Sequence, residues 1–233
     1  YVVMLYNLYG LHSGPGPKAD GPFIEKTIRK MEALPSKKAV AFSNGGCLWK
    51  DAGLFGLVKG TPRFITTAEA VRLRDVHQAK PERDEAYDKT KERWGSISYF
   101  AVTFDEKGAL KVPADLPKTK GAPFYLTFVN DVTKSNGYST GKDTDILRHV
   151  LRDEHACRMH VKKILAIAET CGADGIDIDY ERIGKDPKLV EAFARFTKLL
   201  YLESIPAHKK IRIILEPSMP MDAPYSVGPE YVV

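Results

Sequence analysis

The sequence has little cysteine and no long apolar run, and each scarcity excludes a class of protein. Its three cysteines, Cys47, Cys157 and Cys171, are far apart and odd in number, so we expect buried free thiols rather than a disulfide framework or a zinc site. No apolar stretch approaches the roughly 18 residues of a membrane-spanning helix, and no signal peptide is recognisable. We therefore predict no membrane span. Because the chain begins at Tyr1 rather than Met, we expect a processed piece.

Excess charge of one sign is also lacking. The 35 Lys and Arg against 30 Asp and Glu leave a net charge of +5, which is too mild and too mixed for the basic stripe of a nucleic-acid-binding protein. The six histidines have neither metal-ligand nor catalytic-triad spacing, so we read them as surface or structural residues. We predict no nucleic-acid partner, no metal and no organic cofactor.

Short apolar segments alternate with helical patterns along the chain. The segments are rich in β-branched and aromatic residues, end at Gly, Asn, Asp or Pro, and comprise Tyr1–Tyr9, Ala39–Ser43, Ile97–Phe104, Pro123–Val129, Gly175–Tyr180 and Ile211–Leu215. Helix signals lie between them: one helix begins at Asp20, one runs from about Thr144 to Gly172, and one begins at Asp186. This alternation predicts an α/β fold with a parallel sheet.

One of these segments is unusually acidic. In CGADGIDIDYERI, residues 171–183, four acids fall within eight positions, namely Asp174, Asp177, Asp179 and Glu181. Because side chains alternate along a strand, the last three share one face and the intervening isoleucines and Tyr180 share the other. The apolar face then packs against helices, while the acids project into the interior of a barrel. They end at the carboxyl end of the strand, where α/β barrels carry their chemistry.

A metal loop and an exposed edge strand are two alternatives for the acidic segment. A calcium loop places acids at alternating positions followed by a Gly turn, whereas here the spacing is three, two and two, with no Gly until Gly184. An acidic edge strand would leave both kinds of side chain near solvent, although two isoleucines and a small-residue entry suit a buried strand better. Both alternatives stay open at the level of sequence.

The stretch DGIDIDYE, residues 174–181, resembles the DGxDxDxE signature of glycoside hydrolase family 18, the chitinase and endo-β-N-acetylglucosaminidase family. The resemblance implies a TIM-type (β/α)8 barrel and a single barrel domain over residues 1–233. Other stretches resemble further barrel strands: YVVMLYNLYG the sixth, ISYFAVTFDEKGAL the second, PFYLTFVND the third and IRIILEPSMP the fifth. The run HSGPGPKA is similar to the branch that includes spore-cortex and peptidoglycan N-acetylglucosaminidases.

The strands come in an unusual order. Residues 1–76 resemble the C-terminal part of the family barrel, and residues 95–233 resemble strands two to five. Since the sixth-like strand comes first, and no clear first or eighth strand is recognisable, we predict a circularly permuted or incomplete barrel.

The resemblance also implies roles for the acids. Glu181 corresponds to the general acid and later base, Asp179 to the carboxylate that orients the substrate's acetamido group, and Asp177 to an acid behind it that shares a proton. Asp179 and Glu181 leave one strand face roughly 6–7 Å apart at Cα, so they cannot flank an anomeric carbon from opposite sides. Substrate-assisted hydrolysis with retention, which the family uses, needs no second flanking carboxylate.

Further sugar-binding residues follow from the resemblance and from strand ends. Tyr6 corresponds to a residue that hydrogen-bonds the acetamido oxygen, Met4 to one beneath the sugar, and Asn7 stands where the family usually has Asp; barrel core is the alternative for all three. Asn130 and Glu216, at the tips of the third-like and fifth-like strands, are expected to face the substrate. Trp49 is a candidate stacking platform or a packing residue.

The sequence therefore predicts a glycosidase acting on β-linked N-acetylglucosamine polymers, with peptidoglycan or chitin ahead of N-glycans. We expect it to work outside the cell or in the cell envelope. The alternative is a non-catalytic glycan-binding module, against which the intact Glu181 argues and for which the missing strands argue. A generic α/β binding protein comes third.

Overall fold

The computed structural model describes residues 2–6, 8–10, 13–14, 16, 18–32, 39–43, 46–50, 61–65, 95–113, 116, 122–135 and 139–215. Two of the predicted site residues, Asn7 and Glu216, lie outside these ranges. The chain divides into two compact units, one of residues 1–100 and 113–123 and the other of residues 101–112 and 124–233. The single barrel domain over the whole chain stays a prediction.

The first unit combines parallel strands, one helix and a separate hairpin. Its elements are β1 (Val2–Met4), α1 (Gly21–Glu32), β2 (Ala39–Ser43), β3 (Gly46–Lys50), β4 (Thr61–Ile65) and the start of β5 (Ile97–Phe104). β1 pairs in parallel with β2, and β2 with β5, while β3 and β4 form an antiparallel pair. The helix begins where predicted, because the Asp20 carboxylate accepts a hydrogen bond from the Phe23 N–H at 2.7 Å. Its apolar face joins a core of Leu5, Ala19, Ile24, Ile28, Val40 and Ile97.

The strand order in this unit does not agree with the predicted resemblance of the first strand to the sixth strand of the family barrel. If β5 takes the second position of the resembled barrel, β2 takes the first and β1 the eighth, since parallel neighbours occupy successive positions. A sixth strand would lie four positions from the second in a closed eight-stranded barrel. The order therefore does not support the sixth-strand role of β1. The sugar-binding roles of Met4, Tyr6 and Asn7 lose that support and stay predictions.

The second unit holds the acidic strand. Its elements after the end of β5 are β6 (Leu110–Lys111), β7 (Phe124–Thr133), β8 (Ser139–Thr140), α2 (Thr144–Val150), α3 (Glu154–Thr170), β9 (Gly175–Asp179), α4 (Pro187–Ser204) and β10 (Lys210–Ile213). β9 pairs in parallel with β7 on one side and with β10 on the other. β6 and β8 are short antiparallel additions to β5 and β7.

Aspartate caps start the helices of this unit. The carboxylates of Asp143, Asp153 and Asp186 each accept hydrogen bonds from backbone N–H groups in the first turn of α2, α3 and α4. The single helix predicted from about Thr144 is divided in two, because Asp153 caps a new helix before the predicted stop at Gly172, which has a φ of 66°.

The predicted α/β fold class is confirmed. All six apolar segments contain a strand, these strands pair in parallel within each unit, and helices intervene as in a (β/α)8-type arrangement. The β3–β4 hairpin was missed, since its residues carry no clear alternation. All three cysteines are free, as predicted, but only Cys157 is buried. Among the described residues, no helix is long and apolar enough to cross a membrane.

Candidate active site

The acidic strand β9 is an interior strand with both faces covered. Its isoleucines, Ile176 and Ile178, are fully buried, Asp177 is 0% exposed and Asp179 6% exposed. Glu181 follows two residues after the strand and is half-buried. Because β9 is paired on both sides, the exposed edge-strand alternative is wrong. The predicted alternation of buried isoleucines and acids is confirmed.

The innermost acid, Asp177, is neutralised by an arginine. Arg212 on β10 donates to both of its carboxylate oxygens, from Nε at 2.6 Å and from an Nη at 2.7 Å. The Thr127 hydroxyl on β7 donates to the same carboxylate at 3.3 Å. All three residues lie in one cross-strand row. The charge of Asp177 is thus balanced by a guanidinium, and its predicted sharing of a proton with Asp179 stays a prediction.

The arginine is itself supported by an aromatic ring. Its guanidinium carbon lies 3.6 Å from the centroid of the Tyr125 ring, a cation–π arrangement. That ring packs directly on Gly175, where any Cβ would collide with it. Gly175, the glycine of the DGIDIDYE stretch, therefore has a packing role. It leaves space for the Tyr125 ring, which in turn contacts Arg212, the partner of Asp177.

Asp179 has the perturbed acidity expected of an active-site carboxyl. Burial raises the pKa of Asp179 to about 6, the nearby Lys142 ammonium opposes that rise, and Glu181 adds to it. A carboxyl with such a pKa changes its protonation state in mildly acidic solution, where many acid–base catalysts operate.

A lysine that the sequence analysis did not single out contacts the acids. The Lys142 ammonium forms an ion pair with Glu181 and lies 3.5 Å from an oxygen of Asp179. Lys142 belongs to the turn between β8 and α2. No periodicity or motif marks it in the sequence, and only the return of this turn to the tip of β9 brings it to the site.

Asn130 holds the main chain at Glu181. Its amide Nδ2 donates to the carbonyl oxygens of Glu181, at 3.1 Å, and Asp143, at 3.2 Å, while its Oδ1 accepts from the Glu181 N–H at 3.0 Å. The side chain is fully buried. Its predicted contact with substrate stays a prediction, whereas the structure gives it the task of fixing the position of Glu181.

The remaining candidates of the first unit have local contacts. The Tyr6 hydroxyl donates to the Met4 sulfur at 2.9 Å, and Met4 is 62% exposed. The Trp49 indole N–H donates to the Ser13 carbonyl at 2.9 Å and the side chain is half-buried on β3. The contact of Trp49 suits a packing residue, whereas Met4 is too exposed for the barrel-core alternative; the sugar-binding roles stay predictions.

The opposite face of β9 continues into an aromatic cluster. The Tyr180 hydroxyl and His160 Nε2 form a buried hydrogen bond of 2.8 Å, and both rings pack with Phe196. Burial lowers the pKa of His160 to about 3, so the imidazole is neutral at ordinary pH. His160 is therefore structural, as predicted from its spacing. Among the described residues, no group of three or more His, Cys, Asp or Glu is arranged to hold a metal ion.

Several solved structures are similar to this chain. They include the spore cortex-lytic enzyme SleL of Bacillus cereus, 24% identical with a TM-score of 0.49 over 57% of this chain and 30% of that one. A class V chitinase of Pseudomonas fluorescens is 20% identical with a TM-score of 0.48, over 56% of this chain and 40% of that one. The GH18 chitinase ChiB of Flavobacterium johnsoniae is 12% identical with a TM-score of 0.40, over 55% and 42%.

The chain resembles glycoside hydrolase family 18. This resemblance is carried by the DGIDIDYE stretch, residues 174–181. The chain spans between 30% and 42% of the length of these three structures. No family model matches the chain, and no curated protein matches it by sequence.

Proposed function

We propose that the protein is a retaining glycosidase that cleaves β-linked N-acetylglucosamine polymers, peptidoglycan or chitin, outside the cell or in its envelope. The observation that carries this proposal is the graded row of acids along β9 and just after its end. Asp177 is buried and paired, Asp179 is buried with a raised pKa, and Glu181 is half-buried at the strand's carboxyl end. Acids in such different surroundings suit different roles in one reaction.

In the proposed reaction, the oxygen of the sugar's own 2-acetamido group attacks C1. Glu181 gives its proton to the glycosidic oxygen as the C1–O bond breaks, and the Asp179 carboxylate stabilises the cyclic oxazolinium cation. Glu181, now a carboxylate, takes a proton from a water molecule that attacks C1 and reopens the ring. The configuration at C1 is retained, and no protein carboxylate is needed on the far face of the sugar.

Glu181→Gln tests the assignment of the acid. The amide keeps the shape of the side chain but has no proton to donate, so hydrolysis of a chromogenic chitooligosaccharide should fall by about 10²–10⁴-fold while binding of chitotriose survives. Glu191→Gln, an exposed change on α4, is the matched control and should leave the rate unaltered. Equal rates for the Glu181 variant and the wild type would rule out this assignment.

The nucleophile is tested separately with altered sugars. Substrates with glucose in place of N-acetylglucosamine at the cleaved position should not be hydrolysed, because they lack the acetamido oxygen. A thiazoline analogue of the cyclic intermediate should inhibit more tightly than the parent sugar. A glycosyl ester found on any Asp or Glu by mass spectrometry of the trapped enzyme would contradict the substrate-assisted reaction.

The second candidate function is a non-catalytic glycan-binding module. The observation in its favour is the ion pair of Glu181 with Lys142. In this arrangement the carboxyl group of the proposed acid contacts a lysine of the protein itself. This function predicts that wild-type protein binds chitooligosaccharides or peptidoglycan with no release of reducing ends, and that Glu181→Gln changes neither result.

A further inference from the structure

A groove in the second unit is bordered by one face of α3, the end of α2 and the turn that joins β5 to β6. We refer to it as the α3 groove. Its volume is about 250 Å³, well above the roughly 10–15 Å³ that a single water molecule needs. None of its lining residues has a proposed role in hydrolysis. The groove is therefore a second candidate binding site, separate from the row of acids.

The lining of the α3 groove is basic. Six of its ten residues are Lys, Arg or His, namely Lys107, His149, Arg152, His155, His160 and Lys163, and no Asp or Glu of the described residues lines it. His160 is buried and neutral, whereas the other five are exposed. An exposed histidine donates at least one N–H in either protonation state. The groove thus offers donors and positive charge to an anion, although the net charge of the whole chain is a mild +5.

The two acids beside the groove are engaged with the main chain. The Asp153 carboxylate accepts a hydrogen bond from a backbone N–H in the first turn of α3, at 2.7 Å, and it pairs with Arg152 at 3.2 Å. The Asp105 carboxylate accepts from two backbone N–H groups of its own turn, at 2.8 and 2.9 Å. In the described part of the chain, Arg152 is the one basic residue of the groove that forms an ion pair. The other exposed basic side chains can therefore meet an external anion.

The spacing along α3 indicates the size of that anion. His155 and Lys163 are eight positions apart, about 12 Å along the helix axis, and Met159 lies on the same face between them. One small anion cannot contact both ends, whereas a chain with repeated negative charges can. Met159 is 42% exposed, so it offers apolar surface to the carbon atoms of a ligand that runs between the charges.

Nucleic acids and anionic carbohydrates are both linear polyanions with carbon-rich repeats. Proteins commonly hold single-stranded nucleic acid by stacking its bases on aromatic rings, and no described Phe, Tyr or Trp lines the α3 groove. We propose that the α3 groove binds a linear anionic carbohydrate polymer. Its charged group is the phosphodiester of a polyol chain or the carboxylate of an acidic sugar, since both groups suit the same basic side chains. This binding does not depend on the proposed hydrolysis.

Met159→Glu tests the groove with one exposed change. It places a carboxylate between the basic side chains, so the full chain should bind polygalacturonate, poly(glycerol phosphate) or both at least about tenfold more weakly than the wild type, because like charges that face each other at an interface repel. Fluorescence anisotropy with labelled polymers measures the affinities. Leu202→Glu on α4 is the matched control, since Leu202 is 53% exposed and the charge change is the same. It should bind as the wild type does.

A second pair of variants removes charge from the groove instead of adding it. The double variant Lys107→Gln, Lys163→Gln should weaken binding and should lower the steepness with which affinity falls as salt is added, because fewer counterions are released. The double variant Lys188→Gln, Lys198→Gln changes two exposed lysines of α4 and should alter neither. Circular dichroism checks that every variant folds, and the lysine pair keeps the test intact if Met159→Glu does not.

The outcomes separate the occupants of the groove. A preference for poly(glycerol phosphate) or for polygalacturonate identifies the charged group and supports the proposal. Failure of the wild type to bind either polymer, or equal losses in the groove variants and their α4 controls, overturns it. Tighter binding of a single-stranded DNA of similar charge would show that the occupant is a nucleic acid instead.

Hydrolysis is measured separately, with a soluble neutral chitooligosaccharide. Met159→Glu and Leu202→Glu should both cleave it at the wild-type rate, because neither residue belongs to the candidate active site. A wild type that binds the polyanion but cleaves no glycan would refute the proposed function and leave the α3 groove as a binding site. A wild type that cleaves glycan but binds neither polymer would refute the groove alone.

Discussion

Asn130 and Glu181, 51 positions apart in sequence, are joined by two hydrogen bonds that run in opposite directions between a side-chain amide and a main chain. Just after the end of β9, the Asn130 amide therefore offers the main chain one donor and one acceptor, as a peptide group of a neighbouring strand would. Because the amide also binds the Asp143 carbonyl, a single buried side chain fixes both the proposed acid and the loop that carries its lysine partner.

Asn130→Ala should therefore impair catalysis more than it impairs folding. Three backbone groups lose partners, for which we expect about 1–3 kcal/mol of lost unfolding free energy and at least about a tenfold fall in kcat, with little change in KM. Urea unfolding and steady-state kinetics check the two effects. The same substitution in the Glu181→Gln background should cost stability but no further activity. A kcat that matches the wild type would show that Asn130 has a purely structural role.

Asp179→Asn should stabilise the protein while it lowers turnover. The folded-state pKa of Asp179 is raised to about 6, so the native state binds more protons than the unfolded state between about pH 4 and 6. The unfolding free energy therefore falls as the pH rises through this window, because the buried carboxyl has to ionise in the folded state. This loss is absent below about pH 4 and complete above about pH 6. Removing the charge should thus raise the unfolding free energy by roughly 1–3 kcal/mol at pH 7 and leave it nearly unaltered at pH 4.

Denaturant unfolding at the two pH values measures this difference. Turnover and thiazoline binding should fall together in the same variant, because the carboxylate is proposed to stabilise the cyclic cation. A loss of stability at pH 7 would contradict the raised pKa.

His160 should make the protein sensitive to acid. Its folded-state pKa of about 3 lies below the ordinary value of 6.5, so the unfolded state binds the extra proton between these values. The contribution of neutral His160 to the unfolding free energy is therefore complete above pH 6.5. It is lost as the pH falls toward 3, by about 1.4 kcal/mol per pH unit. His160→Gln, which cannot titrate, should flatten that part of the stability profile. His155→Gln, an exposed change on the same helix, should leave the slope as it is.

Gly175→Ala should destabilise the acidic strand through the tyrosine beside it. A Cβ at this position would collide with the Tyr125 ring and approach the Lys210 carbonyl oxygen to 2.8 Å, for which we expect a loss of about 1–3 kcal/mol. Gly141→Ala is the control, because a Cβ there meets nothing within 4 Å. Thermal unfolding distinguishes the two, and equal melting temperatures would exclude the packing role of Gly175.

Local signals in the sequence predicted most of the elements. Asp20 and Asp186 cap helices as expected, and the alternation of Ile176 to Asp179 predicted the correct faces of β9, because both depend on residues only a few positions apart. The contacts of the acids could not be predicted in this way. Arg212 meets Asp177 through the register of two strands, and Lys142 reaches Glu181 through the path of a turn. In the sequence, the one sign of a cationic partner for Asp177 was Arg212, the only charged residue in the apolar run IRIIL.

The bidentate pair of Asp177 and Arg212 also bears on how such a site can decay in evolution. Loss of Asp177 alone removes two charge-assisted hydrogen bonds from the partly buried Arg212 guanidinium, and breaking a buried ion pair costs about 3–5 kcal/mol, a large fraction of the stability of a typical domain. Glu181, the proposed acid, is half-buried at the carboxyl end of the row, so its loss would remove the proposed chemistry and leave the Asp177–Arg212 pair intact. If the proposed hydrolysis were lost in a related chain, we would expect Glu181 to be replaced readily, and Asp177 to be replaced only together with Arg212.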